Sequence, residues 1–336
     1  MTEPDGKPLY RDIPEFADTL PDVFGIHHLI WLYRNNFLSD LPYDLSPFPY
    51  TMDIYGTGKF DTKLHDDLVR WNILLEGASD RDESDDTTAP RLDPEAQFIF
   101  NSITGHSHWS VYGIVLLHSL KTNAREMFDP EGIDQFGLKH AVRDTPRVGF
   151  TIAVTDTEII SAVRASSSLV FNRFPRLGDV TKQVSEIIHL ILDPERNWEP
   201  WKGKVVTLPF TAVKEITQDR SLSELTDDDE SRVQQGNALK DKLLEKDFSS
   251  TTSTTLAELA KYPVSSSVII NISYSASRGR ITPTGSMGVN FFEGAGVVVS
   301  YPVGKNDESR LIYYTPGTPE NFHEGIRSLV ELVQDD

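Results

Sequence analysis

The chain has 336 residues, of which 38% are hydrophobic and 25% are charged, as is ordinary for a soluble globular protein. This length allows one large domain or two halves, with a substantial core in either case. The formal net charge is −19. It argues against nucleic acid and against an anionic membrane surface as partners, because both require clustered basic residues.

The absence of cysteine excludes disulfides, zinc–thiolate sites, iron–sulfur clusters and a cysteine nucleophile. The first residues carry no apolar signal-peptide core, and no run approaches the ~20 apolar residues that span a bilayer. We therefore expect a cytoplasmic protein that does not insert into membranes.

The N-terminal part alternates irregular and helical segments. Residues 1–22 are polar, contain four prolines and predict a flexible arm. Apolar residues at helical spacing predict helices over 25–38 and 60–75, with a short strand at 50–55 between them. Residues 76–92 hold a dense run of acidic side chains that cannot bury apolar surface, so we expect a solvated acidic loop.

A well-marked helix start precedes the first group of strands. Residues 93–95, Asp-Pro-Glu, supply an N-cap, a proline at the first helical position and an acid near the positive end of the helix dipole. A helix is therefore predicted over 94–103. β-branched and aromatic residues then predict a strand at 109–119 and a hairpin at 148–163 that turns at 155–157.

A long connection, residues 121–146, separates this strand from this hairpin. Loops of that length are uncommon unless they are functional or disordered. The connection contains Met127, Phe128, Phe136 and Leu138, which makes it too apolar for an idle tether. We predict that these four residues contact a partner; the alternative is that they pack back onto their own domain.

Helical patterns dominate the next part of the chain. Apolar residues form a strong stripe over 180–191, whereas 224–246 is a mostly charged helix with acids at its start and lysines at its end. Residues 249–254 are all serine or threonine and are interpreted as a polar joint, followed by a short helix over 255–262.

The last part of the chain is a second group of strands followed by a helix. Thr318 and Pro319 provide the cap and the first helical residue of that final helix. The predicted strands and helix cover residues 267–274, 288–292, 297–301, 310–314 and 318–333.

The two groups of strands resemble each other, because each has a short helix, a strand, a connection and a hairpin. We therefore predict one α+β unit used twice, with both sheets contributing to one core. The N-terminal half would be 23–178 and the C-terminal half 179–336. The C-terminal half would comprise a helical bundle at 179–262, a β-meander at 265–314 and the terminal helix at 318–333.

Catalytic motifs are weak or fail. Residues 285–288, Gly-Ser-Met-Gly, lack the glycine spacing of a nucleophile elbow, and residues 80–91 lack the glycine and glutamate of a calcium loop. No phosphate-binding glycine motif occurs. His106 and His108 would lie on one face of a strand, as a metal site could use, but no further ligand is evident. These failures favour a binding protein without a cofactor.

Three stretches also resemble a known family. They are residues 94–163, with helix, strand, long loop and hairpin; residues 256–272, with Leu256-Ala-Glu-Leu-Ala260 running into a strand; and residues 297–319, with Tyr314-Thr-Pro-Gly-Thr-Pro319 leading into the last helix. In this order they resemble the EspG family, the cytosolic chaperones of the ESX (type VII) secretion systems of actinobacteria. The acidic segment 76–92 departs from the family.

The resemblance implies an EspG-like fold, with two quasi-two-fold related halves around a central, mainly antiparallel β-sheet and a C-terminal helical bundle. It also implies a chaperone that binds the tip of a PPE protein in a PE–PPE pair, or of a related WXG-type substrate. Such a chaperone keeps its substrate soluble until export, through a groove between sheet and bundle to which the long loop contributes. We expect a protein that is monomeric when free.

Two other functions remain open. One is a metal-dependent hydrolase that uses His106 and His108. The other is a structural component of the secretion machinery.

Overall fold

The computed structural model describes residues 23–42, 45, 58–75, 90–105, 107–117, 147–165, 168–217, 229–276, 279–304, 306 and 308–334. Within these residues the chain forms eight helices and twelve strands. The helices are α1 Ile26–Arg34, α2 Gly58–Arg70, α3 Pro94–Ile103, α4 Val180–Leu192, α5 Phe210–Thr217, α6 Asp229–Glu245, α7 Ser250–Leu259 and α8 Pro319–Gln334. The strands are β1 Leu74–Leu75, β2 Arg91–Leu92, β3 Trp109–Leu117, β4 Arg147–Val154, β5 Glu158–Ala165, β6 Ser168–Pro175, β7 Val206–Pro209, β8 Val264–Ala276, β9 Gly279–Ile281, β10 Met287–Phe292, β11 Gly296–Val303 and β12 Leu311–Pro316.

Side-chain caps explain where several helices begin. The Asp93 carboxylate accepts hydrogen bonds from the backbone N–H groups of residues 95 and 96 at the start of α3, at 2.9 and 3.2 Å. Asp179 caps α4 in the same way, and Thr318 accepts from the N–H of residue 321 in α8. These bonds satisfy backbone donors that a helix leaves without intrahelical partners.

Ten of the strands form one antiparallel sheet in the order β6-β5-β4-β3-β8-β10-β11-β12-β7, with β9 added to β8. The sheet is continuous because β3 and β8 pair over their length at its centre. The remaining strands, β1 and β2, form a small separate ladder. The protein is therefore an α+β fold built on a large antiparallel sheet, as predicted.

The two halves are related by a quasi-two-fold axis between β3 and β8. The series α1-α2-α3-β3-β4-β5-β6-α4 corresponds to α5-α6-α7-β8-β10-β11-β12-α8. Even the edge strand β7, which pairs with β12 just before α5, has a counterpart: Gly25 forms an antiparallel bridge to Ser168 of β6 just before α1. The repeated unit therefore begins before α1 and before α5. The sequence pattern had placed its start later, at the short helices 94–103 and 255–262.

Helices cover the two faces of the sheet differently. On one face α4 and α8 lie side by side over the middle of the sheet and share a core that contains Phe150, Ile270 and Phe322. On the other face, α1, α2 and α3 pack over β4 to β6. The counterpart group of α5, α6 and α7 packs toward β7, β11 and β12. This second face therefore has two separate groups of helices, one in each half.

Several predicted boundaries in the N-terminal half were wrong. The helix predicted over 25–38 ends at Arg34, because Asn36 adopts a left-handed conformation with φ of 61°. The helix predicted over 60–75 ends at Arg70, since Asn72 has φ of 56°, and the chain then enters β1. The acidic loop predicted over 76–92 ends earlier than predicted, because residues 91–92 form β2.

Larger differences occur where short or edge elements were not predicted. Strands β6, β7 and β9 and helix α5 were missed, so the predicted helical bundle at 179–262 in fact contains an edge strand of the sheet. Residues 249–254, predicted as a joint, begin α7: the Ser249 hydroxyl caps the helix, and Ser253 is buried within it. The strand predicted at 50–55, the N-terminal arm 1–22 and most of the acidic loop lie outside the described residues.

Candidate partner-binding surface

The space between the two helix groups leaves part of the second sheet face uncovered. Alternation along β3, β8 and β10 assigns residues to this face, because their sequence neighbours, such as Val111, Ile270 and Val289, lie in the core under α4 and α8. We call this surface the open face. Its half-buried or exposed members are Tyr112, Ile114, Ser267, Ile269, Asn271 and Asn290.

A pair of isoleucines lies at the centre of the open face. Ile114 of β3 and Ile269 of β8 are direct cross-strand neighbours. Ile269 is 52% exposed, although it lies on one of the two central strands of a ten-stranded sheet. Exposed apolar side chains at the middle of a sheet, between two walls of helices, are typical of a surface that a partner covers.

Two carboxamides lie on either side of this isoleucine pair. Asn271 is opposite Tyr112 in the pairing of β3 with β8, and Asn290 is opposite Ser267 in the pairing of β10 with β8. Among the described residues, neither carboxamide forms a hydrogen bond with another group of the protein. By contrast, Ser110 and Ser273, further along the same strands, bond to each other at 3.0 Å.

The open face is also uncharged. None of its six residues is acidic or basic, although the whole chain carries a formal net charge of −19 and is 25% charged. The core of a protein–protein interface is typically depleted of charged side chains, because an unpaired charge loses hydration there. The composition of the open face therefore fits a protein partner with an uncharged contact surface.

The C-terminal wall of the open face is built from the tightly packed pair α6 and α7. Gly236 of α6 lies so close to α7 that a Cβ atom there would be 2.6 Å from the backbone oxygen of Ala257. Leu256 and Leu259 then anchor α7 onto the sheet through two small apolar clusters. This wall is therefore closely packed and anchored to the sheet beside the open face.

The sequence-predicted contact residues Met127, Phe128, Phe136 and Leu138 lie outside the described residues. The ends of their segment are described: β3 ends at Leu117, opposite Ser266 of β8, and β4 begins at Arg147, opposite Leu116. Both ends therefore lie beside the N-terminal end of the central strand β8. The open-face residues were missed because an alternating strand pattern does not show which of its two faces stays uncovered.

The histidines offer little support for a metal site. His108 precedes β3, and its Nε2 is 2.6 Å from Oδ1 of Asp156 in the β4–β5 turn, with both side chains exposed. Among the described residues, no three histidine, aspartate or glutamate side chains are grouped so that they could hold a metal ion. His106 lies outside the described residues.

A second pair, His27 and His28 of α1, is buried in the N-terminal core, and the two rings diverge. His27 meets the ring of Phe60 edge-on, and burial lowers its pKa from 6.5 to about 4. His28 accepts a hydrogen bond from the N–H of Gly25 through Nδ1, and its Nε2 is 3.4 Å from Asp67. Burial also lowers the pKa of His28, although the hydrogen bond to Asp67 opposes that effect. The pair is a structural part of this core.

Comparison with known proteins supports the fold. The chain is similar to a solved structure of the Mycobacterium tuberculosis type VII secretion system chaperone EspG5, in complex with the PE25–PPE41 dimer. The TM-score is 0.62 at 13% sequence identity, and the match covers 92% of this chain and 95% of EspG5. No protein-family model and no curated protein matches the chain in sequence. The likeness therefore shows an EspG-like fold.

In the described part of the chain, no helix is long and apolar enough to cross a membrane.

Proposed function

We propose that this protein is an EspG-like chaperone of a type VII (ESX) secretion system, which binds a PE–PPE-like or related WXG-type substrate in the cytosol before export. The observation that carries the proposal is the correspondence with EspG5 over almost the full length of both chains, in a structure whose partner is the PE25–PPE41 dimer.

The open face gives this proposal a physical basis. An uncharged, partly apolar sheet surface can bury the apolar surface of a partner without desolvating charges. The acidic remainder of the protein keeps the complex soluble. Such a chaperone needs neither a cofactor nor catalytic groups, and it is monomeric until it meets its substrate.

The long segment after β3 completes the proposed site. Its ends lie beside the start of the central strand β8, next to the open face. We propose that Met127, Phe128, Phe136 and Leu138 add apolar contact area to the bound partner.

Co-expression with the PE–PPE-like and WXG-type pairs of the same organism, followed by gel filtration, tests the function. We expect one of these pairs to elute with the protein as a stable complex. An Ile269→Asp variant should lose the complex, because it introduces an unpaired charge at the centre of the open face. The matched control is Val170→Asp on the outer strand β6, where the side chain is 57% exposed; it should keep the complex.

If none of the ESX substrates co-elutes with the unmodified protein, the proposal is wrong. Residence of the protein in a membrane complex after cell fractionation would instead favour a structural component of the secretion machinery.

A further inference from the structure

The outer edge of β6 carries backbone groups that can pair with a further strand. β6 is the last strand of the sheet on its side. The N–H of Leu169 donates outwards, to the carbonyl of Phe24 at 3.0 Å. Because backbone groups along an antiparallel strand point alternately to its two sides, those of Phe171 and Arg173 also face outwards. In the part of the chain that the structure describes, neither residue has a backbone partner on this side.

The unpaired stretch of this edge is short and bounded at both ends. At one end, the chain before α1 already lies against β6 through the bridge between Gly25 and Ser168. At the other end, Pro175 has no N–H group, and its carbonyl accepts a hydrogen bond from the side-chain amide of Gln183 at 2.8 Å. Two residues with outward backbone groups lie between these ends, which is too short a run to pair with the edge strand of a second sheet.

The C-terminal half shows what occupies the equivalent edge. There the four residues of β7 pair with β12 and lead directly into α5. The last residue of β7, Pro209, lies opposite the first residue of β12. Gly25 holds the equivalent position, because it directly precedes α1 and lies opposite Ser168, the first residue of β6. The equivalent of β7 is therefore residues 22–25, of which residue 22 belongs to the N-terminal arm.

The sequence of the arm fits a continuation along β6. In the register of the existing bridge, Asp22 is opposite Phe171 and Leu20 is opposite Arg173. Both arm residues would therefore turn their backbone groups towards the outward groups of β6. Pro21 falls between them, at a position where the backbone faces away from β6. A proline there loses no hydrogen bond, which is how edge strands accommodate this residue.

Two exposed valines support the same register. Val23 follows the arm, and the register of the bridge places it opposite Val170 of β6. Their side chains are 47% and 57% exposed. Facing β-branched residues stabilise neighbouring antiparallel strands. This pair therefore favours strand pairing that extends beyond Gly25 towards the arm.

We propose that residues 20–22 of the N-terminal arm extend the bridge at Gly25 into an eleventh strand of the sheet, which is antiparallel to β6 and pairs with Phe171 and Arg173. The occupant is the chain's own arm, because the arm reaches this edge already in register and its pairing requires no association between molecules. β6 is then unavailable for pairing with strands of other chains. The edge lies three strands away from β3, so this contact does not depend on the proposed function.

Disulfide formation tests the register directly, because the natural chain has no cysteine. Pro21→Cys combined with Asn172→Cys places the two residues opposite each other, at a pair without mutual hydrogen bonds, where Cα atoms are about 4.5 Å apart and a disulfide fits. The matched control combines Pro21→Cys with Val170→Cys, where the Cα atoms would be about 8 Å apart. In a glutathione redox buffer, the first pair should form about 10-fold more intramolecular disulfide than the control, measured by peptide mass spectrometry.

Amide hydrogen exchange tests the pairing in protein without introduced cysteines. The N–H groups of Phe171 and Arg173 should be protected in the unmodified protein. Asp22→Pro removes an N–H that would face β6, and it should speed exchange at both positions about 10-fold, the effect of losing about one hydrogen bond. Thr19→Pro is the matched control, because residue 19, like Pro21, would face away from β6; it should leave both exchange rates unchanged.

Three results would overturn the inference. The first is equal disulfide formation by the two cysteine pairs, since it would show that the arm has no fixed register. The second is exchange at Phe171 and Arg173 that is as fast as in exposed amides, or that Asp22→Pro leaves unchanged. The third is a disulfide-linked dimer of the single Asn172→Cys variant in place of the intramolecular bond, which would show that a second copy of the chain occupies the edge.

Discussion

Burial of His27 should make the protein sensitive to mild acid. The imidazole lies in the N-terminal core against Phe60, and burial lowers its pKa from 6.5 to about 4. Between these two values the unfolded chain binds a proton at this site and the folded protein does not. The contribution of His27 to the free energy of unfolding is therefore fully present above pH 6.5, and it is lost progressively as the pH decreases toward 4.

The size of the effect follows from the pKa difference. A difference of about 2.5 pKa units, at 1.36 kcal/mol per unit, corresponds to about 3 kcal/mol of unfolding free energy. His27→Leu removes this titration. The unfolding free energy of the variant, measured relative to the parent, should therefore rise by about 3 kcal/mol between pH 7 and pH 4.

Urea unfolding followed by tryptophan fluorescence at several pH values between 4 and 7.5 measures this difference. The titration of groups that both proteins share cancels in the difference between their unfolding free energies. The change in side-chain volume at residue 27 adds the same amount to this difference at every pH. The control Asn237→Ala replaces an exposed side chain that does not titrate and should give a difference that does not change with pH. A pH-independent difference for His27→Leu would refute the reasoning.

Two further predictions concern packing. Gly236→Ala should lower the unfolding free energy by about 1–3 kcal/mol, because its Cβ would lie 2.6 Å from the backbone oxygen of Ala257. The control is Asn237→Ala, one residue later on the exposed side of α6. Equal melting temperatures of the Gly236→Ala variant and the parent would contradict the close helix contact. Phe322→Ala should lower the unfolding free energy by about 3–5 kcal/mol in chemical denaturation, because this ring of α8 is fully buried against the sheet. A loss below about 1 kcal/mol would contradict the shared core under α4 and α8.

Strong local signals made much of the fold predictable. The hairpin at 148–163 has its turn at 155–157, as predicted, because residues of β-propensity flank short polar ones. The starts of α3 and α8 were predicted within a residue, since Asp93 and Thr318 both cap with their side chains. In these places the local sequence and the tertiary structure favour the same conformation.

Predictions were wrong where tertiary packing overrides local preference. Residues 249–254 have low intrinsic helix propensity, yet they form a helix because Leu256 and Leu259 anchor it onto the sheet. Strand β6 was missed because buried and exposed side chains do not alternate regularly along this strand. Strand β7 has only four residues, too few for a periodic signal.

The candidate surface was the least predictable part. The sequence indicated that a strand covers 267–274, and it predicted neither which residues of that strand stay uncovered nor that Asn271 and Asn290 lie on one face. That information depends on the separation of the two helix groups, which is a property of the quasi-two-fold arrangement. The loop residues singled out from composition lie outside the described residues, and their contact with a partner stays a prediction.

The pairing of β3 with β8 has a consequence for synthesis of the chain. The Ser110–Ser273 bond at the centre of the sheet joins residues that are 163 positions apart. When β3 to β6 have left the ribosome, β8 has not yet been made, so β3 presents an open hydrogen-bonding edge during translation. Such an edge favours pairing with other chains. A protein of this design would therefore benefit from protection during synthesis, by general chaperones or rapid translation, until its second half has been made.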